Sequence, residues 1–427
     1  MSTINKYITR FALLLSFLAF SCTDISDSGH DRFEQSLVSI DTPFLYAEIQ
    51  ELNFDNPITY DINRINELKK QFENKPGNMP PAFNDFLSEA RILLTMPPIS
   101  VINRTSNIEN VDLNSFLSMS TYYWPNPETE SGLPYIRQDG KLNPEVDLYN
   151  RSELTELRKA VTLLSFMYGI TSEEKFAQKA KSLLEAWFIN PKTKMNPHLQ
   201  HAQFVPGVSD GSFIGVIQGR AFVYIFDSLN LLKSSQVWDS EFESGMYNWI
   251  SDFSNWLIKS PRGQLASNYY NNHSTWYDVQ VAYFSRLIQN ETNSLEVLNE
   301  VYSKRILTQI DENGVQIHEI KRKDGLKYST LNLNGHILLA NIISNSDESR
   351  NIITDRYENK LESAIEYLLP SVLNPEVWPH KQVNHYNGCD FLPILNYSYN
   401  SGSNTASYST IEQIIDQYSC DAFTILY

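Results

Sequence analysis

Cysteine is almost absent from this chain, with three in 427 residues, at positions 22, 389 and 420. So few exclude a disulfide-built scaffold, and none has metal-ligand spacing. Positive charge is also short: 34 Lys and Arg face 50 Asp and Glu, for a net charge of −16. A chain this acidic lacks the basic face that a nucleic-acid partner requires. Long hydrophobic runs are missing, since the apolar stretch from Phe11 to Phe20 falls short of the roughly 20 residues that cross a bilayer. There is no Gly-rich phosphate loop, no G-x-S-x-G nucleophile elbow and no Gly/Ser-rich linker.

What the N-terminus does contain is an export signal. Lys6 and Arg10 form a basic region, Phe11 to Phe20 an apolar one, and Ala19-Phe20-Ser21-Cys22 a cleavage site. A Cys directly after small residues predicts a bacterial lipoprotein with signal peptide 1–21 and lipidation at Cys22. Residues 22–40 then read as a polar, acidic tether, and 41–427 as one domain. The expected location is the outer membrane, facing the periplasm or the cell surface, with membrane contact through the lipid alone. Of the other two cysteines, Cys389 and Cys420 fit either a disulfide or two buried thiols.

From about Glu153 the text turns helical. Leu154-Leu157-Val161-Leu164 and Phe176-Ala180-Leu183-Leu184-Trp187 keep helical spacing. Thr171-x-x-Glu174 and Ser240-x-x-Glu243 read as capping boxes. Further helices are predicted at about 213–233, 241–259, 277–290, 294–310, 329–345 and 355–369. Helix pairs without a sequence repeat predict an all-α fold, an α/α toroid or incomplete barrel. Two segments break the pattern, Glu376 to Gln382 and, before it, Thr121 to Asp147, whose four prolines and two glycines exclude regular helix. The tyrosines and Trp124 of the longer segment predict a lid-like wall on which sugar rings stack.

The chemistry concentrates in Asn271-Asn272-His273-Ser274-Thr275-Trp276-Tyr277, with Arg322 and Tyr328 further on. An amide, an imidazole and a guanidinium can hold a uronate carboxylate while a phenolate removes the proton beside it. That proton lies α to a carboxylate, so its removal concentrates a second negative charge there. Asn272, His273 and Arg322 would spread that charge. A tyrosine ionises near pH ~10, so Tyr328 needs a cationic neighbour, and Arg322 is the candidate. Other cations able to meet an acidic polymer are Arg137, Lys141, Arg220, Lys323 and Lys381.

These residues carry a resemblance. The chain resembles the alginate lyase family of polysaccharide lyases in Tyr122-Tyr123-Trp124-Pro125-x-Pro127, Gly132-Leu133-Pro134-Tyr135 and Ala186-Trp187-Phe188 with Met195-Asn196-Pro197. It does so again in Asn271-Asn272-His273-x-x-Trp276-Tyr277-x-x-Gln280, Glu319-x-x-Arg322 with Tyr328-Ser329, and Asn374-Pro375-x-x-Trp378-Pro379. The resemblance implies catalytic roles for Asn272, His273, Arg322 and Tyr328. Tyr122, Tyr123, Trp124, Tyr135, Arg137, Gln203, Arg220, Trp276, Tyr277, Trp378 and Lys381 are the expected substrate contacts. The reaction implied is β-elimination on an acidic polysaccharide, without a cofactor. One residue fewer separates Arg322 from Tyr328 than in the better-known mannuronate lyases, which points toward the branch that includes glucuronan-cleaving enzymes.

Two other readings stay open on residues alone. A glycan-binding lipoprotein accounts for the aromatic loop but leaves Arg322 and Tyr328 idle. A toroidal glycoside hydrolase needs two carboxylates flanking the bond, and Asp139, Glu145, Asp278 and Glu319 show no recognisable pair. His198-x-x-His201 and His380 with His385 bring no carboxylate or Cys at partner spacing, so no metal site is expected.

Overall fold

Apolar residues at helical spacing give most helices a buried face, and the helices pack on one another through it. In the computed structural model, residues 51–420 are described, apart from 55, 354, 403 and 404. The expected signal peptide, Cys22 and the tether lie outside the described residues. Helices α1 (Ile62–Asn74) and α2 (Pro81–Leu93) pack on α3 (Arg151–Thr171). After α4 (Glu174–Leu184) and α5 (Arg220–Ser228), which also pack on α3, come α6 (Ser240–Lys259) and α7 (Pro261–Ser267). Both α6 and α7 contact α8 (Asn272–Leu287), which also packs against α9 (Glu291–Val301) and α10 (Gly325–Ser344). The turn of π-helix Tyr302–Ile306 interrupts the helix expected over 294–310. Helices α11 (Asp355–Leu373), α12 (Leu392–Asn400) and α13 (Tyr408–Tyr418) follow. The helices wind as an α/α toroid that does not close into a barrel.

Neither predicted capping box forms. Helix α3 runs through Thr171, whose hydroxyl donates to the Met167 carbonyl, and Glu173 starts α4 without a side-chain cap. Asp239 rather than Ser240 caps α6, accepting from the Phe242 N–H at 2.8 Å. The carboxylate one position earlier takes the N-cap role, which leaves Ser240 as the first residue of the helix. Cys389 and Cys420 form a disulfide, tying the start of α12 to the end of α13.

Helix α8 is the inner member of the bundle, and every residue of it is buried except His273. Several of its polar side chains pair internally: Asp278 with Arg305 at 2.7 and 3.0 Å, Thr275 with Gln309 at 2.9 Å, and the Gln280 amide N–H with the Val216 carbonyl at 3.2 Å. Gly219 lets α8 come close, because a Cβ there would lie 2.1 Å from the Gln280 amide oxygen. The segment 121–147 is irregular as predicted, apart from a small hairpin of β2 (Tyr123–Trp124) on β3 (Ile136–Arg137) and a short 3-10 turn at Pro144–Leu148. Beneath it β1 (Leu117–Met119) pairs in parallel with β4 (His201–Phe204).

Candidate active site

The N-terminus of α8 opens the site. Asn271 caps the helix by accepting from the His273 N–H, so Asn272 and His273 occupy its first turn. The Asn272 backbone N–H and side-chain amide both donate to the carboxylate of Glu319, at 2.8 and 2.9 Å. Burial, then the Arg322 and Arg220 cations, push the His273 imidazole down to about 3. It is therefore neutral over any physiological pH, with one ring nitrogen a donor and the other an acceptor.

Arg322 and Tyr328 flank the start of α10, and the helix turn folds one back over the other. The Arg322 guanidinium lies 3.8 Å from the centroid of the Tyr328 ring. The cation expected beside Tyr328 thus lies against its ring face. On the other side, the Tyr328 hydroxyl meets that of Tyr122 at 2.9 Å, across a sequence separation of 206. Burial, and then Tyr328 itself, raise Tyr122 well above the usual tyrosine range. Tyr122 therefore keeps its proton at neutral pH. Arg220 completes the floor: it lies over Trp276 at 5.9 Å and acts electrostatically on both Tyr328 and His273.

The aromatic segment reaches this centre through Asp139. Its carboxylate accepts from Arg137 at 2.9 Å and from Arg322 at 3.1 Å. Burial pushes the Asp139 carboxyl up, but Arg322 and Arg137 outweigh it and hold the group below its ordinary range. The following turn is pinned where Asn384 donates to the Gly140 carbonyl at 3.0 Å. Beside it lies a cleft of about 710 Å³ lined in part by Lys141, Lys323 and Lys381. Trp124 faces that rim: its indole donates to the Lys141 carbonyl at 2.9 Å, and the Lys141 ammonium sits 4.2 Å over its ring.

Of the expected substrate contacts, Tyr122, Arg137 and Arg220 gather with the four expected catalytic residues, while Trp124 and Lys381 border the adjoining cleft. Tyr123 is half-buried on β2. Gln203 sits half-buried on β4 with φ +52°, held there by the Ser118 and Ser120 hydroxyls at 2.9 Å. A non-glycine residue held in that region costs about 1–3 kcal/mol.

Four expectations are corrected. Trp276 is 1% exposed and donates to the Leu331 carbonyl, and Tyr277, 6% exposed, packs in the main core. Both lie one turn deeper along a helix buried on every side, so neither faces a ligand. Trp378 is 8% exposed and packs edge-on against Tyr367 and His380. Tyr135, half-buried, packs its ring against the small core of Leu117, Met119, Val146 and Phe204 and donates its hydroxyl to Glu145 at 2.8 Å.

The aromatic wall beside His273 comes instead from residues immediately before the motif. The Tyr269 ring lies 5.9 Å from His273 and 4.5 Å from Tyr270, which is 55% exposed and meets His318 at 5.0 Å. Extending the motif upstream by two residues would have found them. The four carboxylates available to a hydrolase are each committed: Asp139 to two arginines, Glu145 to Tyr135, Asp278 to Arg305 and Glu319 to Asn272. Among the described residues no group of three His, Cys, Asp or Glu could hold a metal ion.

Comparison with known proteins agrees with this geometry. An alginate lyase from Bacteroides ovatus has a similar structure, with a TM-score of 0.77 and 30% identity over 85% of this chain and 96% of that one. A variant of alginate lyase A1-III from Sphingomonas species A1, solved with a tetrasaccharide, shares the fold at a TM-score of 0.55 and 14% identity, over 90% of this chain and 98% of that one. No curated protein matches the chain. The family model for alginate lyase matches residues 101–378, and the chain belongs to that family of polysaccharide lyases.

Proposed function

We propose that this protein cleaves a polyuronate of the alginate or glucuronan type by β-elimination, with Tyr328 as the proton-transfer residue. The observation that carries the reading is the Tyr328 ring held under the Arg322 guanidinium at 3.8 Å, with a second phenol on its hydroxyl. A uronate carboxylate seated between Asn272, His273 and Arg322 receives hydrogen bonds that strengthen as charge builds on it. The Tyr328 phenolate takes the C5 proton, the electron pair forms the C4–C5 double bond, and the C4–oxygen bond breaks. Where that oxygen lies on the same face of the sugar, Tyr328 returns its proton to it. The products are a new hydroxyl end and a 4,5-unsaturated uronate. Proton transfer of this kind contributes about 10²–10⁴-fold.

Substrate must displace Asp139 from Arg322, and the two carboxylates compete for one guanidinium. Lys141, Lys323 and Lys381 supply the local positive charge through which a protein of net charge −16 accepts an acidic polymer. The name of the Bacteroides ovatus structure supports alginate, and the Arg322–Tyr328 spacing supports glucuronan. Incubating the mature chain with a panel of polyuronates, while following the ultraviolet absorbance of the new double bond, separates these. A new reducing end without that absorbance would mean a hydrolase, and no product would mean a binding protein. The cleavage site before Cys22 supports an outer-membrane lipoprotein, and Cys22→Ala should release the protein from the membrane fraction.

A further inference from the structure

We propose that Glu319 is a positioning residue for the carboxyl-binding site, acting through Asn272. This rests on the lyase reading above. Glu319 is 1% exposed, and its carboxylate is spent on one neighbour. Oε1 accepts from the Asn272 backbone N–H at 2.8 Å and from Nδ2 at 2.9 Å, and Oε2 accepts from Nδ2 at 2.9 Å.

That geometry fixes more than the position of the amide. The two oxygens of a carboxylate, about 2.2 Å apart, subtend about 45° at a nitrogen this far away, whereas the two N–H bonds of an amide diverge by about 120°. One N–H therefore addresses both oxygens, and the second points elsewhere. Glu319 thereby decides which end of the amide is which: reversing it would set Oδ1 against a carboxylate. The remaining N–H is the donor left for a ligand.

The surroundings point to what that ligand is. Asn272 Oδ1, His273 Nδ1 and Arg322 Nε are buried polar atoms with no protein partner. Buried polar groups are nearly always paired, and these three sit on residues linked by electrostatic action of Arg322 on both His273 and Glu319. A carboxyl group offers acceptors to Arg322 Nε–H, and to His273 when Nδ1 carries the ring proton, whereas Asn272 Oδ1 is itself an acceptor and does not bear on that choice. An anion was needed at position 319 because it must hold a side-chain amide and an orphan N–H of the first helical turn together. Charge-assisted bonds are roughly twice as strong as neutral ones.

A purely structural role, anchoring the start of α8, predicts something different, and a double-mutant cycle separates the two. Glu319→Gln keeps one oxygen acceptor at nearly the same volume. It should lower kcat about 10- to 100-fold with little change in KM. Placed on Asn272→Ala, the same substitution should cost nothing further, because the group it positions is gone. An equal additional loss in the Asn272→Ala background, with melting temperatures falling in step, would overturn the proposal. Glu319→Asp, which keeps the charge but withdraws it by one methylene, runs through the same cycle if Glu319→Gln does not fold. A wild-type chain that releases no unsaturated product from any polyuronate ends the lyase reading and this inference together. An active wild type with an additive cycle ends this inference alone.

Discussion

Tyr328→Phe separates chemistry from architecture at the site. The substitution removes one oxygen and leaves the ring under Arg322. The stacking at 3.8 Å therefore survives, and the loss to the folded protein is the hydroxyl contact with Tyr122 at 2.9 Å. A half-buried hydrogen bond of that kind is worth about 0.5–1.5 kcal/mol, so the melting temperature should move by only a few degrees. The cost to catalysis is much larger. Loss of the proton-transfer group removes about 10²–10⁴ in rate, or about 2.7–5.4 kcal/mol of barrier. The assay is the rise in ultraviolet absorbance on a polyuronate, read beside a thermal melt and a binding titration with the same polymer. A variant that folds, binds and turns over within about tenfold of wild type would refute the assignment of Tyr328.

How much of this was legible in the sequence depends on the range over which each interaction acts. The helices of α3 and α4 could be read because one apolar face alternates with a polar one. The start of α8 could not, because the helix is buried all round and carries no polar stripe. The expected start at 277 fell five positions inside the real one, which begins at Asn272. The same cause put Trp276 and Tyr277 in the wrong place: proximity in sequence to His273 is not proximity to its cleft when the helix runs inward. The four residues proposed for catalysis were readable as a set of types suited to carbon-acid chemistry. Their partners were not. Tyr122 reaches Tyr328 across 206 positions and Asp139 reaches Arg322 across 183, and no local pattern encodes a contact of that range. Glu319 was visible as text beside Arg322, but only the fold shows its carboxylate closed on Asn272. The disulfide was left open by sequence because two cysteines fix a pairing only once their Cα atoms are known to lie within reach, here 5.5 Å apart.

The remaining predictions address charge, cleft and pH. His273→Ala should depress kcat by about 10²–10³, as loss of a donor to developing negative charge does elsewhere; a change confined to KM would make it a binding contact. Replacing Lys323 and Lys381 together with Ala should weaken binding of long oligosaccharides more than turnover, and flatten the salt dependence of binding. An unchanged salt profile would remove that cleft from the substrate path. The last concerns His336, fully buried and pushed down to about 3 by burial and then by Arg305. Its folded pKa lies below that of an unfolded histidine, about 6.5. The unfolded state therefore binds a proton that the folded state refuses once the pH drops below that value. Stability is accordingly full above pH about 6.5 and declines as the pH falls toward 3. At pH 5 the deficit from this one residue is about 2 kcal/mol, which is 1.36 kcal/mol for each of about 1.5 pH units. His336→Gln cannot titrate, so denaturant unfolding should show wild type losing about 2 kcal/mol more than the variant between pH 7 and pH 5. Equal pH dependence in the two proteins would mean that His336 is protonated in the fold, and the assignment of a neutral imidazole in the core would be wrong.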